Sequence, residues 1–108
     1  MPDLPYTLKT ATGTAIEFAF PLNEETGSPV RVAQLLTSIL AALDRDIRVL
    51  GSTSNGDVLQ ALAMALAARS AMIEATHAVT AELARSLVAT ALDAASNSTR
   101  TAPLSGHA

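Results

Sequence analysis

The sequence predicts a mainly α fold: an N-terminal β-hairpin, then an antiparallel helical hairpin with one long arm, dimerising into a four-helix bundle. Three observations carry this. Apolar residues alternate with period two only near the start of the chain. After Ser28 they recur at steps of three and four. The second helical stretch runs far longer than the first without a glycine or proline inside it.

The 108 residues set one domain as the expectation. Hydrophobic residues make up 49%, enough for a folded core. Tyr6, Phe18 and Phe20 are the only aromatics, all within the first twenty residues. That leaves no stacking platform in the helical part, which argues against single-stranded nucleic acid as a partner. The net charge is −3 and no stretch is strongly basic, so nothing offers a footprint for a phosphate backbone. With no cysteine, disulfide and thiolate chemistry are excluded.

In residues 1–27, Ile16, Phe18 and Phe20 alternate with Ala15, Glu17 and Ala19, the pattern of a half-buried strand. Tyr6 and Leu8 alternate more weakly with Thr7 and Lys9, and Ala11–Thr14 supplies a turn. Pro21 should end the second strand.

The first helix is expected over 28–50. Ser28 suits the N-cap, Pro29 the first helical position and Gly51 the stop. Val32, Leu36, Ile39, Leu43, Ile47 and Leu50 form an apolar stripe, flanked by Leu35 and Leu40. The face is wide enough for more than one neighbour. A short polar connection follows, with Ser54 and Asp57 spaced like a capping box.

The second helix is expected over 55–95 as one rod of about 40 residues, roughly 60 Å long, because alanine, the best helix former, recurs throughout. Residues 96–108 are small and polar and read as a mobile tail. A first helix of about 21 residues can cover only the near half of such a rod. The far half would leave Leu83 and Leu87 bare. A second protomer is the expected cover, with Leu62, Leu66, Ile73, Leu83 and Leu87 as interface residues.

Two charges fall in apolar places. Asp46 projects beside Leu43 and Leu50, and Arg69 between Leu62 and Ile73. The functional reading is a buried ion pair or an anion-binding arginine. Within one hairpin the two are offset by roughly 13 Å along the axis, so pairing would more easily cross a dimer interface. The preferred reading is that Arg69 extends its head to water and Asp46 decorates a helix end.

Glu74 and His77 are three residues apart, one turn on a helix, and two copies could contribute to a di-metal carboxylate bundle. His77 projects only to the edge of the apolar face and Glu74 further out, so the preferred reading is a boundary histidine and a solvated glutamate. Ser52–Asn55 are more simply caps than an anion site. Asn97-Ser98-Thr99 matches a glycosylation acceptor without other support. His107 falls in the tail.

No cofactor is expected. The expected role is an interaction or accessory protein, acting on a copy of itself and on another protein, with neither nucleic acid nor membrane as partner. The alternative is a metal- or small-molecule-binding bundle. The opening residues carry no apolar run of the signal type, and no apolar stretch reaches the roughly 20 residues that span a bilayer. Both point to the cytoplasm.

Overall fold

Three strands and three helices follow one another in the computed structural model, which describes residues 2–103. They are β1 (Asp3–Lys9), β2 (Ala15–Pro21), α1 (Pro29–Leu50), α2 (Asn55–Ala71), α3 (His77–Ser96) and β3 (Thr99–Thr101). The chain divides into two units. One comprises the chain up to Ala33 together with the segment from Val88 onward; the other is Gln34–Leu87.

In the first unit the expected hairpin is present. β1 and β2 pair antiparallel, with Leu4 opposite Phe20, Tyr6 opposite Phe18 and Leu8 opposite Ile16. These six residues share one face of the sheet, and all are half-buried or buried. Such cross-strand apolar pairs are what stabilises a sheet. Phe18 and Phe20 stack at 4.9 Å along β2. The loop Ala11–Gly13 closes with Thr10 N–H donating to the Thr14 carbonyl at 2.9 Å. Gly13 has φ +88°, the left-handed residue that a three-residue hairpin loop requires. Pro21 ends β2 as expected.

The hydrogen-bond phase of the sheet gives its prolines a role. Leu22 N–H donates to the Pro2 carbonyl, and Thr10 bonds Thr14. The even-numbered residues of β1 therefore bond β2, and the odd-numbered ones face the open edge. Pro5 stands at one of those outward positions, where its missing N–H deletes an edge donor. On β2 the odd residues face β3, which pairs only as far as Thr99 opposite Glu17. Pro21 stands beyond that, again where a donor would be unpaired. Both prolines blunt the sheet against a further strand.

β3 corrects the expected tail over 96–108. Thr99–Thr101 pairs antiparallel with Ala15–Glu17, adding a third strand outside β2. β-branched Thr99 and Thr101 suit this, but three residues give too short a run to show alternation. Residues 104–108, His107 among them, lie outside the described residues.

Each helix end is set by local chemistry. Ser28 Oγ accepts from Arg31 N–H at 3.2 Å, and Ser54 Oγ from Asp57 N–H at 3.3 Å, as N-caps do. Gly51 (φ +97°) donates to the Ile47 carbonyl at 2.8 Å, ending α1 in the left-handed conformation. α3 stops without glycine, because the side chains of Ser96 and Asn97 bond the Asp93 carbonyl and that of Ser98 bonds Ala95.

The single helix over 55–95 is not formed. α2 ends at Ala71 and α3 begins at His77. No glycine, proline or positive φ breaks the chain here. Ser70 Oγ bonds back to the Leu66 carbonyl at 2.8 Å, and Met72 and Ile73 N–H groups reach only three residues back, tightening the last turn. The Thr76 carbonyl then accepts from Val79 and Thr80 to start α3. Side-chain competition for backbone bonds outweighed alanine's propensity. The three helices hold 22, 17 and 20 residues, so the mismatch of a short arm against a long one disappears.

Burial separates the two units. Among the described residues the buried apolar ones are Ile16, Leu22 and Ala94, all in the first. In Gln34–Leu87 the one buried residue is Thr80, and its hydroxyl is satisfied within α3 by the His77 carbonyl at 3.2 Å.

Candidate functional site

The chemistry-bearing side chains do not converge. Asp46 is exposed on α1 and Arg69 exposed in the last turn of α2. No ion pair joins them: Arg69 Nη1 instead donates to Met72 Sδ at 3.4 Å, one turn on. Glu74 and His77 do not share a helix. Glu74 lies in the α2–α3 link and His77 is the first residue of α3. The one-turn geometry that the Glu-x-x-His spacing implied is thus lost to the break at Met72–Thr76. Both side chains are exposed. Among the described residues, no three His, Cys, Asp or Glu side chains gather as metal ligands would. Arg85 and Glu82 lie 3.8 Å apart on α3, an exposed pair one turn apart.

What does concentrate is apolar surface on the helices. All the large exposed apolar residues among those described belong to α1, α2, α3 or the α2–α3 link; the sheet has none. Of the residues expected at an interface, Leu66, Ile73, Leu83 and Leu87 are exposed and Leu62 is half-buried. Ile73 sits in the link, out of helical phase with Leu66 and Leu83.

α1 has the most one-sided distribution of apolar residues of the three helices. Its apolar arc resolves into two adjacent stripes. Ala33, Leu36, Leu40, Leu43 and Ile47 are half-buried. Val32, Leu35, Ile39 and Val49 are exposed. Reading the arc as one stripe merged them, since both keep the three-four spacing. Its width was the signal that a single neighbour could not cover it.

α2 is apolar nearly all round. From Val58 to Ala68 only Gln60 is polar, yet no residue of the helix is buried. A helix of this composition belongs in a core. Among the described residues no helix is long and apolar enough to cross a bilayer.

Set beside family models, curated proteins and solved structures, the chain matches none of them.

Proposed function

We propose that the chain is a small homo-oligomeric interaction protein, an adaptor, regulator or assembly factor, that works through its apolar helix faces. The observation that carries this is the absence of a core in Gln34–Leu87: Leu35, Ile39, Met64, Leu83 and Leu87 are all exposed, and only Thr80 is buried. Burying a Leu, Ile or Met side chain is worth roughly 1.5–3 kcal/mol. Most helical stability in proteins comes from packing of an apolar face rather than from propensity. Association supplies the missing burial, so folding and assembly are one equilibrium. α1 and α3 offer faces to a copy of the chain, and the all-round apolar character of α2 leaves room for a second protein.

Light scattering on a sizing column tests the reading. The expected mass is a multiple of 11.1 kDa. A helical species of single-chain mass at micromolar concentration would overturn it.

A further inference from the structure

We infer that Asn55-Gly56 is a self-modification site, where the chain deamidates without an enzyme, and that the Ser54 cap sets the pace. This is chemistry of the single chain, separate from the assembly proposed above. The chain has three asparagines, Asn23, Asn55 and Asn97, and the structure treats them differently. Asn23 is half-buried, its Oδ1 accepts from Glu25 N–H at 2.8 Å, and Glu24 follows it. Asn97 donates through Nδ2 to the Asp93 carbonyl at 3.1 Å, and the next N–H, that of Ser98, donates to the Ala95 carbonyl at 3.1 Å. Asn55 and Gly56 are both exposed. Among the described residues no group bonds the Asn55 side-chain amide, and none accepts from Gly56 N–H.

The open N–H follows from position. Asn55 and Gly56 are the first two residues of α2, and the first N–H groups of a helix have no carbonyl of that helix behind them. Ser54 satisfies the later ones. Its Oγ and its carbonyl accept from Asp57 N–H, and the carbonyl also accepts from Val58 N–H. The cap thus passes over Gly56. The backbone does not call for glycine there: its φ is not positive, and an added Cβ would meet only Ser54 Oγ, at an ordinary 3.5 Å. What the missing side chain does is leave the nitrogen open to close approach.

In the reaction the Gly56 nitrogen attacks Asn55 Cγ. The N–Cγ bond forms, the Cγ–Nδ2 bond breaks, and Nδ2 leaves as ammonia with the proton that Gly56 gave up. The product is a cyclic imide, which water then opens. Addition at Cγ gives aspartate. Addition at the main-chain carbonyl gives isoaspartate, with the chain rerouted through Cγ. Nothing is oxidised or reduced. Either product adds a negative charge to the formal −3. Aspartate suits the start of a helix. Isoaspartate lengthens the backbone between Ser54 and Asp57 and moves the cap out of register. Ring closure requires Asn55 to rotate ψ away from helical values, so the first turn must open, and the Ser54 bonds hold it shut.

Cleavage after lysine and arginine by trypsin puts each asparagine on its own peptide, residues 10–31, 49–69 and 86–100. The full-length protein is held in neutral buffer, with and without urea, and the three peptides are followed over time by mass spectrometry. In the folded protein the 49–69 peptide is expected to convert first, to aspartate and isoaspartate, and faster as pH rises. Conversion there only in urea, or earlier conversion at Asn23 or Asn97, overturns the site. Gly56→Ala should slow the reaction in both conditions, and an unslowed variant overturns ring closure through the Gly56 nitrogen. Ser54→Ala should speed it about fivefold in buffer, the gain in opening that loss of such a cap gives, and leave the rate in urea unchanged. Equal rates in buffer for Ser54→Ala and the unmodified protein overturn control by the cap.

Discussion

In the sheet, every apolar residue of β1 stands opposite one of β2, and Pro5 on the open edge of β1 and Pro21 at the end of β2, past β3, stand where an unpaired donor would otherwise point outward. In Gln34–Leu87, apolar residues are more numerous, yet Leu35, Ile39, Leu66, Leu83 and Leu87 face solvent and nothing blunts them. Proteins protect the surfaces they do not use for association and leave open the ones they do. For the association proposed above, the contrast favours side-chain faces of helices over backbone edges of strands.

The largest effect should come from charging a helix face. Ile39→Asp is expected to reduce the mass by light scattering to that of one chain. Much of the helical circular dichroism should go with it, since most helical stability in proteins comes from packing of an apolar face. Helicity that persists in a monomeric Ile39→Asp would break the link between assembly and folding.

Next is Ile16→Ala in the sheet. Removing a buried Ile side chain costs about 2–5 kcal/mol, and Ile16 is 8% exposed. Denaturant titrations of this variant should show the same loss at two protein concentrations differing tenfold, scaled to the wild type at each. A loss confined to the dilute sample would place Ile16 in the assembly rather than in the sheet.

Ser54→Ala should cost about 1 kcal/mol by removing the α2 cap, read as a shift of the denaturation midpoint. Smallest is Arg85→Ala. Its pairing with Glu82 leaves both side chains about three-quarters exposed, and such pairs contribute under about 0.5 kcal/mol. A larger loss there would mean that this face of α3 is covered by a partner.

The hairpin, the first helix and its caps were legible because each rests on a local rule. Alternation marks β2, Ser28-Pro29 marks the start of α1, and Gly51 marks its end. The break at Met72–Thr76 was not, because no single residue there forbids a helix. It arises from Ser70 bonding back to Leu66 and the Thr76 carbonyl opening a new helix, choices worth little each. β3 was hidden by brevity. The site residues Glu74 and His77 depended on the unbroken rod and lost their geometry with it. Asp46 was legible as a charge projecting beside Leu43 and Leu50, and in the structure it is exposed on α1. Which of two adjacent stripes on α1 stays bare is set by tertiary burial, to which a three-four spacing is blind.

The outward placement of Pro5 and Pro21 bears on how the association should respond to temperature. With backbone pairing weakened at the β1 edge and past the end of β3, contact between copies in the proposed assembly would rest on aliphatic surface, whose removal from water is driven by entropy near 25 °C and carries a negative heat-capacity change. Chilling the solution should therefore loosen the particle and gentle warming tighten it.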